Sequence, residues 1–137
     1  MSLKLQRMAY YSEAARPELA LLTLAELLAE SDRNNLRDGL SGVLLVSRGR
    51  FFQVLEGAAQ DLDRTFARIS ADCRHHKVRV ISREATDRRR FAGWGMVAAR
   101  ITPSQQPEID TVIDRCEVDP DAAINAAADL LDRQRES

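Results

Sequence analysis

The chain has 137 residues, 45% apolar and 30% charged, with 20 basic against 21 acidic side chains and a formal net charge of −1. That size suits one domain with a single core, and so balanced a charge creates no global field favouring nucleic acid or an anionic membrane. The longest apolar runs fall far short of the ~18–20 residues a membrane span needs, and no signal-peptide core precedes the first strand-like residues, so a cytoplasmic protein is expected.

Leu3 to Tyr11 alternates, with Leu3, Leu5, Arg7 and Ala9 on one side and Met8 and Tyr10 on the other, which predicts a strand. Pro17 suits the first turn of a helix, and Leu19, Leu22, Leu24, Leu27 and Leu28 give that helix an apolar stripe to about Ser31. Ser31 to Asn35 is polar and turn-rich, and Asp38-Gly39 is a turn signal. Val43 to Val46 is a continuous apolar strand, returned through Ser47-Arg48-Gly49-Arg50 into a strand from Phe51 to Glu56. A helix from about Gln60 to Asp72 carries Leu62, Phe66, Ile69 and Cys73 on one face. Lys77 to Arg83 alternates as a strand, Glu84 to Phe91 reads as a charged loop, and Trp94 to Ile101 as the last strand.

After Pro103, Ser104 is placed to cap a helix with Ile109, Val112, Ile113 and Cys116 inward. Asp119-Pro120 opens another, with Ile124, Ala127, Leu130 and Leu131 inward. The order βαββαββ predicts an α+β, ferredoxin-like fold: a five-stranded mixed sheet, two helices on one face, and two C-terminal helices covering the other. Residues 1–102 form the expected domain and 103–137 a helical extension packed on the sheet, with no further output domain. Cys73 and Cys116 lack a CxxC spacing and are expected to be free thiols.

Gln53 lies in the middle of a strand apolar on both faces. A buried amide without partners costs roughly 1–3 kcal/mol, so Gln53 is bonded to protein groups or to a ligand. Tyr10, on a strand expected beside it as a parallel neighbour, is in reach of that amide. Asn34-Asn35 either ends a helix or offers donors and acceptors to a planar heterocycle. Asp72-Cys73-Arg74-His75-His76 closes a helix with charges that suit its dipole. Adjacent histidines point apart and no third ligand is spaced for a metal, so none is expected. Arg68 is placed to pair with Asp72 one turn on. Trp94 and Met96 share a strand face, and Asp87-Arg88-Arg89-Arg90 reads as a solvated loop.

Together these residues resemble the BLUF family of blue-light sensors that use FAD. The matching motifs are Arg7-Met8-Ala9-Tyr10-Tyr11-Ser12, Ser31 to Asn35 with Gly39-Leu40-Ser41-Gly42, Phe52-Gln53-Val54-Leu55-Glu56-Gly57, Asp72-Cys73-Arg74-His75, and Arg90-Phe91-Ala92-Gly93-Trp94-Gly95-Met96. The resemblance covers residues 3 to about 101 and implies a photoreceptor rather than an enzyme. It makes Tyr10 the donor of an electron and a proton to the excited flavin, with Gln53 between that phenol and the ring. It implies flavin contacts from Ser31, Asn34, Asn35, Arg68, Asp72, Arg74 and His75, with Leu27 and Ile69 sandwiching the ring. It also implies that Trp94 and Met96 are the strand residues that change with Gln53. Leu40-Ser41 and Gly95 depart from the family pattern, which has Ile-Thr and Ser there. The ring motifs accept FAD and FMN alike. The implied partner is a separate signalling protein, with no nucleic acid or membrane, and exposed apolar surface favours a homodimer or higher homo-oligomer. The rivals are a flavin-free regulatory module of the same fold and a small hydrolase built on Arg68 and Asn34. The hydrolase lacks a nucleophile–base pair and a phosphate loop.

Overall fold

Arg48 and Gly49 both take positive φ, 53° and 76°, the primed-turn geometry whose twist matches the strands it joins. The computed structural model describes residues 5–16, 39–92, 97–98 and 105–136. In it that turn closes β2 (Ser41–Ser47) onto β3 (Arg50–Ala58). The two run antiparallel with Leu44 opposite Gln53. They come so close at Gly42 that a Cβ there would sit 1.9 Å from the Val54 carbonyl oxygen, so only glycine fits.

β1 (Leu5–Ala14) flanks β3 on its other side and β4 (His75–Thr86) lies beyond β1. β3 leads directly into α1 (Ala59–Ala71). A two-residue strand β5 (Val97–Ala98) lies parallel to β2, followed by α2 (Gln106–Arg115) and α3 (Pro120–Glu136). The architecture is α+β. The described sheet is four antiparallel strands in the order β4-β1-β3-β2, with β5 beside β2.

Both faces of the sheet are buried. Toward α1, Met8, Tyr10, Leu44, Phe51 and Leu55 pack with Leu62, and half-buried Phe66 and Ile69 close the margin. On the opposite face Tyr11, Val43, Phe52 and Val54 meet Ile109, Val112, Ile113, Ala127, Leu130 and Leu131 of α2 and α3. Each fully buried Leu, Ile or Phe contributes roughly 1.5–3 kcal/mol, so this contact holds the C-terminal helices on the sheet. This is why β3 reads as apolar on both sides. Asp119 caps α3 as expected, its carboxylate accepting the Ala122 N–H at 3.2 Å.

Several expectations need correction. β1 and β3 are neighbours but antiparallel. β4 starts at His75 and runs to Thr86, because β1 supplies pairing along its whole length; His75 and His76 therefore open a strand instead of closing a helix. Cys73 lies past the end of α1 and is exposed, while Cys116 is buried; both are free thiols. The Asp87–Arg90 run is a largely exposed loop, as expected, but its half-buried Arg89 is tied down: it donates to the Gly39 carbonyl at 2.7 Å, the Ser41 hydroxyl at 2.9 Å and the Glu56 carbonyl at 3.1 Å. Asp72 is paired with Arg74, and Arg68 donates to the Thr65 hydroxyl at 3.2 Å. Leu27, Ser31, Asn34, Asn35, Trp94, Met96, Ser104 and the helix expected from Pro17 lie outside the described residues. No described helix is long and apolar enough to cross a membrane.

Candidate functional site

The α1 face of the sheet holds a polar centre in an apolar wall. Pairing puts Tyr10 directly opposite Gln53, and strand alternation points both toward α1. Tyr10 is 4% exposed and Gln53 3%. The Tyr10 hydroxyl donates to Gln53 Oε1 in a short contact. So the buried amide has a protein partner. Burial holds the Tyr10 phenol well above its ordinary range, and the negative charge of Asp72 pushes it further the same way. At neutral pH Tyr10 is therefore a fully protonated hydrogen-bond donor.

The surroundings fix Tyr10 in place. Phe66 of α1 meets its ring edge-on at 5.8 Å, and His75 does so at 6.5 Å. His75 Nε2 lies 2.6 Å from the Ile69 carbonyl oxygen, which can only accept, so Nε2 carries the hydrogen. In the neutral ring Nδ1 then accepts from the Ser12 hydroxyl at 2.9 Å. His75 thereby ties the start of β4 to the last turn of α1 and to β1. Arg74 folds back on Asp72, which accepts the Arg74 N–H at 2.9 Å and its Nε–H at 3.0 Å. That pairing holds the Asp72 carboxyl below the usual carboxylate range.

Of the residues singled out in the sequence, the structure gathers Tyr10, Gln53, Ile69, Asp72, Arg74 and His75 around the C-terminal end of α1 and the strands beneath it. Arg68 lies on the exposed side of α1. No group of three or more His, Cys, Asp or Glu suited to a metal ion occurs among the described residues. The donor set fits a planar heteroaromatic ring: apolar side chains of Phe66 and Ile69 for its face, and a carboxamide and a phenol for its edge.

One buried polar residue was missed. Glu56 is fully buried on the face of β3 opposite Gln53. It accepts from Arg7 Nε at 2.8 Å, from the Ser41 hydroxyl at 3.1 Å, and from the N–H groups of Arg90 and Phe91 at 2.6 and 2.8 Å. The reasoning that singled out Gln53 applies with more force to a carboxylate in the same apolar strand.

The family model for sensors of blue light using FAD, BLUF, matches residues 5–97. Photoactivated adenylate cyclase subunit alpha of Euglena gracilis is 36% identical over 112 residues. That match covers 80% of this chain and 11% of the relative, so the chain spans about a tenth of that protein's length. The dark-state structure of the BLUF protein BlrB superposes with a TM-score of 0.76 at 26% identity, covering 96% of this chain and 99% of that one. Klebsiella pneumoniae BlrP1 with FMN and cyclic diGMP aligns with a TM-score of 0.66 at 28% identity, covering 85% and 35%.

Proposed function

The chain belongs to the BLUF family of blue-light sensors, and we propose that it is a photoreceptor holding a flavin non-covalently beside the Tyr10–Gln53 pair. The observation that carries this reading is the bond between a buried phenol and a buried carboxamide in an apolar wall. When bound, flavin supplies a strong oxidant on absorbing blue light. Tyr10 is then the source of the electron, and its phenolic proton leaves along the hydrogen bond to Gln53 Oε1. Electron and proton afterwards return to Tyr10, so nothing is consumed and no covalent bond forms. Gln53 is left rearranged, by rotation or tautomerisation of its amide. It then offers the ring carbonyl a stronger hydrogen bond, which moves the absorption to longer wavelength.

In this reading Leu27 and Ile69 sandwich the ring. Ser31, Asn34, Asn35, Arg68, Asp72, Arg74 and His75 hold its polar edge and the adjoining chain of the cofactor. FAD is the expected form, since the family is described by it, and FMN presents the same ring. In this reading residues 1–102 form the sensor, a five-stranded ferredoxin-like sheet with two helices on one face, and 103–137 the extension. One exchanged hydrogen bond is worth roughly 0.5–1.5 kcal/mol, which changes a partner's affinity about tenfold at most. Packing must therefore amplify it, and the lever is the last strand, with Trp94 and Met96, leading into α2 and α3. The output is a change of affinity for a separate cytoplasmic protein, not a reaction catalysed by this chain.

The absorption spectrum of the purified protein tests this. A yellow preparation that shifts red under blue light and recovers in darkness is expected, and Gln53→Leu should keep the colour but abolish the normal shift. A colourless protein that takes up no added flavin, or a Gln53→Leu variant that photocycles normally, overturns it.

A further inference from the structure

β3 carries the proposed switch on one face and, on the other, a carboxylate that the photochemistry does not use. Glu56 is fully buried, and its bonds are donated by three different pieces of the fold. Arg7 comes from β1 and Ser41 from the start of β2. The N–H groups of Arg90 and Phe91 come from the connector between β4 and β5. Arg7 also donates to the Arg88 carbonyl at 3.1 Å, and Arg89 clamps the same connector to Gly39, Ser41 and the β3 backbone. Phe91 itself is buried in the core against α2 and α3. The connector thus arrives at β5 from a fixed point.

The register of β5 matters for the switch. Ala98 pairs with Leu44, Leu44 with Gln53, and Gln53 with Tyr10, so position 98 lies in the same cross-strand row as the phenol and the amide. Trp94 and Met96 share the parity of that position. Side chains alternate faces along a strand, so a slip by one residue would carry all of these positions to the opposite face. Among the described residues, Val97 and Ala98 of β5 pair with Val43 and Leu44 of β2, soon after the amides that Glu56 holds. A fixed point just before the strand bears directly on that register.

We propose that Glu56 is a positioning residue: by pinning the amides of Arg90 and Phe91 it sets the register of β5 on β2, and so decides which side chains of the last strand face Gln53. The register part stands on the fold alone; the consequence for signalling rests on the photoreceptor reading.

Amide hydrogen exchange of Glu56→Gln in the dark, on the purified full chain, tests the first part. The substitution keeps the size of the side chain but turns one acceptor into a donor facing other donors. Arg90, Phe91, Val97 and Ala98 should all exchange about tenfold faster, the effect of losing one charge-assisted bond. Faster exchange at Arg90 and Phe91 with Val97 and Ala98 unchanged would show that the anchor does not govern the register. Exchange unchanged at all of these amides would show that no anchor exists. In the flavin-loaded protein the red shift should keep its size, because Tyr10 and Gln53 are intact, while dark recovery changes at least about threefold; unaltered recovery overturns the coupling. If Glu56→Gln fails to fold, Arg89→Gln reads the same amides, with the same outcomes for and against. A wild-type chain that showed no light response would remove the photoreceptor reading and leave the dark-exchange result standing.

Discussion

Two polar side chains on β3 behave in opposite ways, though one apolar strand buries both. Gln53 faces α1 with a neutral amide that is donor at one end and acceptor at the other, and its acceptor end meets a neutral phenol. Turning that amide exchanges one modest bond for another, at a cost within reach of a single absorbed photon's chemistry. Glu56 faces α2 and α3 with a group that only accepts, and a guanidinium, a hydroxyl and two backbone amides fill it. Rotating it would strand buried donors. A switch needs groups with two near-equal arrangements, and an anchor needs one arrangement far below the rest. In the proposed photoreceptor the same strand carries one of each.

The largest effect that would sharpen this contrast is loss of the anchor. Glu56→Ala should cost about 3–5 kcal/mol in denaturant unfolding, since it leaves Arg7 and the connector amides without their acceptor; a loss below about 1 kcal/mol would make Glu56 as dispensable as a surface residue. Gln53→Leu should cost less, about 1–2 kcal/mol, because the Tyr10 hydroxyl it strands is neutral, and adding Tyr10→Phe should recover part of that loss. Additive losses in the double variant would mean that the two side chains are not energetically coupled.

A smaller effect concerns pH. Burial raises the Tyr10 phenol above its ordinary value of 10.0, so the folded chain keeps a proton that the unfolded chain releases. Stability from this source is fully present below about pH 10 and falls as pH rises beyond it. Tyr10→Phe should flatten that alkaline decline of the unfolding midpoint, and an unchanged slope would assign it to other groups. Smallest of all, Arg50→Ala removes the 2.7 Å ion pair to half-exposed Asp114 of α2 and should cost about 0.5 kcal/mol, shrinking with added salt. A cost above about 2 kcal/mol would move the hairpin–α2 contact from the rim of the structure to its core.

Much of the sheet was legible because its signals are local. The Ser47–Arg50 turn, the faces of β1 and the capping of α3 by Asp119 follow from alternation and turn chemistry within a few residues. Gln53 was legible for the same reason, as a polar group inside an apolar run. Glu56 sits in that run too, but at the strand's end, where a charge reads as the onset of solvent. The Asp87–Arg90 connector is exposed as its composition predicts, yet Arg89 and the Arg90 amide spend their donors on atoms far back in the chain, which no local signal announces. The extension of β4 to Thr86 depends on β1 lying alongside, which periodicity within β4 does not contain.

The sequence by itself determined the β2–β3 hairpin, the inward faces of the C-terminal helices, the presence of a polar centre in β3, and the family, since each rests on residue types at short spacing. Only the tertiary structure decided that β1 meets β3 antiparallel with Tyr10 directly facing Gln53, that His75 spends both ring nitrogens within the protein, and that Glu56 gathers Arg7, Ser41, Arg90 and Phe91. The physical reason is range. Strand propensity and capping act over a few residues, whereas a buried charge is satisfied by whichever donors the finished fold brings within about 3 Å, and no spacing along the chain encodes that meeting.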